Sequence, residues 1–279
     1  MITIIADTTS CLSLDMVHSL GIPYLPQIIV FGDQMYRDDT ELNSDAFIQK
    51  LRSSPTLPKT SAPQPSLYTP IYQECIARGD SIIVICPSTD LSGTFRGASV
   101  AAQDFPNADI HIVDTRSIGS GLGELVLYAR KLAQEGHSAD FIVSAVKEMA
   151  SRGKLFFLVD TLEYLYKGGR IGGAKALFGS VLQVKPILEL KDGRITAAES
   201  QRTKNRALAR FKQMIFEECP HGDGSHLTIM HGGNIDEAAA LANEFSQRLG
   251  ITNIPIYYVP PAIMVHAGPK ILAVSFFKQ

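Results

Sequence analysis

The chain has 279 residues, of which 45% are hydrophobic and 19% charged, and its net charge is −2. That length is about twice the modal domain of ~100–150 residues, and the composition supports a sizeable core rather than a disordered chain. The charge balance shows neither the basic excess of a nucleic-acid binder nor a polybasic membrane anchor, while a mean hydropathy of +0.07 leaves the chain slightly oily.

Residues 1–7 carry no basic segment and no cleavage site, so Ile2–Ala6 is expected as a first strand and the protein is expected in the cytoplasm. Pro23–Phe31 reads as extended, followed by a polar hairpin-like stretch, Gly32–Thr40, and a short helix, Asp45–Leu51. Ser66–Ala77 is predicted helical, with Pro70 tolerable only in its first turn. Then come a buried strand at Asp80–Cys86, a small-residue helix at Ser92–Asp104 and a strand at Ile110–Val113. Gly123–Glu135 is an amphipathic helix closed by Gly136, and Ser138 caps Ala139–Ser151. Strands separated by helices of this length imply β-α-β units and a parallel sheet covered on both faces.

The second half has a different rhythm. Leu155–Val159 is a strand and Leu162–Tyr166 a short segment before Lys167-Gly-Gly-Arg170-Ile-Gly-Gly. Val184–Leu190 and Arg194–Glu199 flank Lys191-Asp192-Gly193, a hairpin signal. Ala207–Glu218 and Ile235–Leu249 are helices, and His226–Met230, Ile254–Val259 and Lys270–Phe276 are strands. The expected organisation is a two-domain α/β protein. Residues 1–155 form a parallel-sheet domain with a small extended subdomain at about 23–58, and residues 156–279 an α+β domain.

The longest apolar runs are strand-length, so no integral membrane segment is expected. The four cysteines, Cys11, Cys75, Cys86 and Cys219, form no C-x-x-C pair, and the seven histidines form no H-E-x-x-H. Reduced thiols, no metal and no cofactor are therefore expected.

Ligands in open parallel sheets gather beyond the carboxyl ends of the strands. Asp7-Thr8-Thr9-Ser10, Pro87–Thr94 and Asp114-Thr115 fall there. Gly119-Ser-Gly121-Leu-Gly123 resembles a dinucleotide fingerprint, but Glu124 stands where the third glycine belongs, and close helix packing explains the glycines as well. Ser92-Gly93-Thr94 at a helix start suits an anion, and Ser92 reads either as a cap or as a hydroxyl donor to a carboxylate. Thr60-Ser61 adds two hydroxyls. His266 lies in a glycine/proline turn before the last strand. A Ser92–His266 hydrolase is the rival reading, although G-x-S-x-G is absent, and a nucleotide or sugar-phosphate sensor built on the helix start is a second. Arg170, between two glycine pairs, and Arg202 read either as solvated surface residues or as guanidinium groups that reach a partner or a phosphate.

In chain order these segments run Ile4-Ile-Ala-Asp7-Thr8, Lys59-Thr60-Ser61-Ala-Pro63, Leu91-Ser92-Gly93-Thr94-Phe95, Val113-Asp114-Thr115, Leu162-Glu-Tyr-Leu165 with Lys167-Gly-Gly-Arg170-Ile171, Lys185-Pro186-Ile187, Arg202-Thr203 and His266-Ala-Gly268-Pro269. Together they resemble the DegV family of bacterial fatty-acid-binding proteins over nearly the whole chain. The resemblance implies two α/β domains with one long-chain fatty acid buried between them. It implies a carboxylate held by Thr60, Ser92, the backbone at Gly93 and His266, with Ser61 as a further candidate. It also implies that the protein is a binder without turnover of its own, presenting the acid to an ATP-dependent kinase that makes an acyl phosphate for phospholipid synthesis. Arg170 and Arg202 match positions of kinase docking, and this chain has no P-loop for that chemistry itself. Ala62, Gln64, Ala267 and Lys270 depart from the family pattern near the head group.

Overall fold

The computed structural model describes residues 1–178 and 184–279. In chain order the strands and helices are β1 (Ile2–Asp7), α1 (Leu14–Ser19), β2 (Tyr24–Leu25), β3 (Ile28–Phe31), β4 (Gln34–Arg37), α2 (Ser44–Ser53), β5 (Lys59–Ser61), α3 (Pro65–Ala77), β6 (Ser81–Cys86), α4 (Thr94–Ala102), β7 (Ile110–Asp114), α5 (Ser120–Gln134) and α6 (Ala139–Ser151). They continue with β8 (Gly153–Leu158), α7 (Glu163–Lys167), β9 (Lys185–Lys191), β10 (Arg194–Gln201), α8 (Lys204–Glu218), β11 (Thr228–His231), α9 (Ile235–Leu249), β12 (Ile256–Tyr258), α10 (Pro261–Ala267) and β13 (Leu272–Phe277).

The fold is α/β, built on three sheets. The first is parallel, in the order β2-β1-β6-β7. Its strands are apolar on both faces, as a doubly covered sheet requires. Ile4 and Ile83 face α5 and α6, while Ile5, Ile82 and Val84 face α3 and α4 through Tyr68, Tyr72 and Ala98. The second sheet is mixed, in the order β10-β9-β8-β13-β11-β12. Strand alternation divides it. Phe156, Ile187, Ile229 and Val274 point to α8 and α9, whereas Leu155, Phe157, Leu188 and Ala273 point the opposite way. The third sheet, β4-β3-β5, is antiparallel and packs Ile29 and Phe31 with α2 onto that second face.

Two junctions fix the sheets to each other. The β9–β10 hairpin turns at Asp192-Gly193, both with positive φ (49° and 76°), as a two-residue turn of this kind demands. Its tip docks on the loop after β6: Ser88 Oγ donates to the Gly193 carbonyl at 2.7 Å, and Arg194 Nε to Asp90 at 3.0 Å. On the other side, α5 lies against both main sheets. A Cβ at Gly121 would strike Ser275 on β13, and one at Gly123 would strike the Ser10 carbonyl. These glycines serve close packing.

Three elements differ from the sequence expectation. Helix α3 passes through Pro70, which lies beyond its first turn, because Tyr68 and Tyr72 on either side are fully buried and Pro65 already sets the first turn. Helix α4 starts at Thr94 rather than Ser92. The amides of Leu91 and Ser92 both donate to the Ser88 carbonyl at 3.0 Å, folding residues 88–92 into a turn and making Gly93 the cap. His266 is not in a turn: Pro261 starts α10 and Gly268, at φ 79°, ends it, so the histidine sits on the helix's last turn.

Candidate functional site

A largely apolar cavity, about 790 Å³ of empty space with its mouth included, lies between the carboxyl end of the parallel sheet and the inner face of the mixed sheet. Leu155 and Phe157 of β8, Ile195 of β10, Met230 of β11 and Ala273 of β13 form its floor, and Ala262, Ile263 and Ala267 of α10 close one side. Six polar residues also line it: Thr9, Gln27, Thr60, Ser92, Arg170 and His266.

Each of these is placed by its element. Thr60 is the middle residue of β5, so alternation turns it inward while Lys59 and Ser61 face solvent. His266, on the last turn of α10, meets it with Nε2 2.8 Å from Thr60 Oγ1. His266 Nδ1 is buried against Gly168 without a hydrogen bond of good geometry, so the tautomer that leaves no buried donor unpaired carries its proton on Nε2. Burial, reinforced by the charge of Arg170, pushes the His266 pKa down to about 4, so the ring is neutral at physiological pH. Arg170 is held across the mouth by two carbonyls, Nε donating to Leu91 at 3.1 Å and Nη1 to Gly168 at 2.8 Å. Beyond Thr60, Arg170 and His266 a second cleft, also lined by Lys59 and Lys167, opens to the surface.

Ser92 stands on a buried network. Its Oγ accepts from the Thr94 amide at 3.3 Å and lies 3.0 Å from Thr94 Oγ1, which donates to Asp7 Oδ2 at 2.6 Å. Gln27 Nε2 donates to both Asp7 and Thr94, at 2.8 and 3.1 Å. Thr8 Oγ1 and the Gln27 amide donate to Asp38 at 2.8 Å. Burial raises the pKa of Asp7 and brings that of Asp38 up to about 7.

The structure thus brings together Thr60, Ser92, His266 and Arg170. It leaves Ser61 and Gly93 exposed and outside the cavity lining, with Gly93 packed beside Ala62. Arg202 is exposed, between β10 and α8. Of the unusual positions, Ala267 lines the cavity, whereas Gln64 and Lys270 are exposed, Lys270 with its ammonium 3.8 Å from Asp160. Sequence reasoning noted Asp7 and Thr9 only as part of a strand-end cluster and missed Gln27 and Asp38, whose partners lie 11 to 67 residues away. His266 and Ser92 do not touch as a base and nucleophile would: the ring bonds Thr60, and the serine bonds Thr94. Among the described residues no group of three or more His, Cys, Asp or Glu could hold a metal, and no helix is long and apolar enough to cross a membrane.

Known proteins share this architecture. A DegV domain-containing protein of Streptomyces coelicolor is 35% identical over 275 residues, 98% of this chain and 97% of the relative. A structure of a DegV family protein from Thermus thermophilus, described as showing fatty acid binding, superposes with a TM-score of 0.89 at 31% identity, covering 100% of this chain and 99% of that one. Bacillus subtilis DegV, described as a fatty acid binding protein, gives 0.88 at 27% identity with the same coverage. The model of the family described as "Uncharacterised protein, DegV family" matches residues 1–279, and the chain belongs to that family.

Proposed function

We infer that this protein binds one long-chain fatty acid, with the acyl chain in the apolar cavity and the carboxylate at Thr60, Ser92 and His266. The observation that carries this is the division of the cavity, apolar along β8, β10, β11 and β13 but lined at its mouth by hydroxyls, a neutral imidazole and one guanidinium. Each buried methylene contributes ~0.8 kcal/mol, so about fifteen supply on the order of 12 kcal/mol before the entropy of association. Burying a carboxylate unpartnered costs several kcal/mol, which the Thr60 and Ser92 hydroxyls and the Arg170 charge offset. With the proton on His266 Nε2, the ring donates to Thr60 and leaves the Thr60 hydroxyl proton for the ligand.

The test is organic extraction and mass spectrometry of the purified protein, together with titration of a fluorescent fatty acid. A stoichiometric acid is expected. The Ser92→Ala/His266→Ala variant should keep its fold and lose affinity by at least tenfold; unchanged affinity overturns the assignment.

The finer part of the reading is presentation of the acid to an ATP-dependent kinase for acyl-phosphate formation. Thr60, Arg170 and His266 wall both the cavity and the surface cleft, which supports it: a carboxylate held there is one side-chain layer from a docked partner. Arg202, exposed and outside the cavity, serves docking alone. Arg202→Ala is therefore expected to lower acyl-phosphate yield with the kinase while leaving lipid affinity intact, and Arg170→Ala to lower both. Equal loss of lipid affinity in the two variants would remove Arg202 from the docking surface.

A further inference from the structure

The Asp7 carboxylate is 1% exposed, and among the described residues it meets four neutral donors and no cation. Oδ1 accepts from the Thr9 amide, at 2.9 Å, and from the Thr9 hydroxyl; Oδ2 accepts from Gln27 Nε2, at 2.8 Å, and from the Thr94 hydroxyl, at 2.6 Å. A hydroxyl has a single proton. With that of Thr94 committed to Asp7, the 3.0 Å contact between Thr94 Oγ1 and Ser92 Oγ is bridged only by the proton of Ser92. An ionised Asp7 therefore turns the Ser92 proton inward and leaves a lone pair facing the cavity. A carboxylate arriving there would meet lone pair with lone pair.

One added proton reverses the whole chain. Protonated at Oδ2, Asp7 donates to Thr94, Thr94 to Ser92 and Ser92 to the ligand. No bond other than O–H changes, and the proton comes from solvent or from the acid itself, passed along the same hydroxyls. We propose that Asp7 is a positioning residue of the site: through Thr94 its protonation aims the Ser92 hydroxyl at a bound carboxylate, so that binding is linked to uptake of one proton. This rests on the fatty-acid reading above.

The surroundings concentrate the effect on Asp7. The ionisable groups around it are Cys11 after β1, Tyr24 on β2, Asp38 after β4, Tyr68 on α3 and Cys86 on β6, with His266 and Arg170 on the cavity wall. Burial pushes the two thiols and both phenols upward, so they stay neutral. Asp38 bonds Thr8 and the Gln27 backbone, away from Ser92.

The experiment is calorimetric titration with sodium laurate at pH 8 in buffers of different ionisation enthalpy, repeated by fluorescence between pH 6 and 9. The parent protein is expected to take up close to one proton per laurate, and its affinity to fall by up to tenfold per pH unit at the alkaline end. Asp7→Asn, which has no ionisable carboxyl, should bind laurate with almost no proton uptake and a flat pH profile. Thr94→Val, nearly isosteric, cuts the chain by removing the hydroxyl between Asp7 and Ser92 and should reduce the uptake to less than half; it carries the test should the Asn variant fail to fold. Binding by the parent without proton uptake overturns the proposal, as does full uptake in Asp7→Asn or Thr94→Val, or uptake that disappears in Asp38→Asn instead. No laurate binding by the parent overturns the fatty-acid reading and this inference with it.

Discussion

Two groups near the cavity respond to pH in opposite directions. Asp38 titrates near 7 when folded and near 3.8 when free, so between those values the folded state holds more protons. Stability from this group is complete below pH 4 and is lost as pH rises through 7. His266 titrates near 4 when folded and near 6.5 when free, so its contribution is complete above 6.5 and is lost as pH falls toward 4. Asp38→Asn should therefore gain on the parent as pH rises, by a few kcal/mol between pH 4 and 8, read as the difference in midpoint of urea unfolding. A constant difference would show that Asp38 does not titrate in that window. At this scale the sequence displayed the hydroxyls and the histidine, because Leu91-Ser92-Gly93-Thr94 and Lys59-Thr60 are local motifs. It hid what orients them, since Asp7 finds Gln27 20 residues away and Thr94 87 away, and no spacing rule reaches so far.

Local chemistry specified most elements. Ser138 caps α6 through the Phe141 amide at 3.3 Å, Thr203 caps α8, and Gly250 in the left-handed region ends α9. Where the reading failed, two signals had competing uses. Gly268 and Pro269 read as a turn, yet glycine just past the last helical position, with Pro261 at the first, is also the mark of a helix. Pro70 shows tertiary packing overriding propensity: it cannot donate to the Ser66 carbonyl, but two buried tyrosines hold the helix through it. Pro70→Ala restores that hydrogen bond at an exposed position and is expected to stabilise the protein by about 1 kcal/mol in chemical unfolding, after part of the gain is offset by a freer unfolded chain. A loss of stability would mean that the proline ring itself packs usefully.

For the molecule as a whole, the parallel sheet was legible from β-α-β spacing, whereas the neighbours of β13 were not. That strand lies between β8 and β11, and its pairing with β8 joins residues more than a hundred positions apart. The cavity depends on both main sheets, so an occupant holds them together. Saturation with fatty acid at about 100 times Kd should add ~2.7 kcal/mol and raise Tm in a single cooperative transition. Two separate transitions, only one of them responding to lipid, would show that the sheets unfold independently.

Phe277, at the end of β13, is buried in the core that β1, α5 and α6 form for the parallel sheet, while Phe276 beside it is buried under α8 and α9. The last strand of the fold to leave the ribosome thus completes two cores at once. During synthesis, at ~5–20 residues per second, the first 150 residues, which hold every other buried side chain of the core around Phe277, emerge well before this one ring. The nascent chain spends those seconds with one ring missing from that core and with the mixed-sheet wall of the cavity unmade.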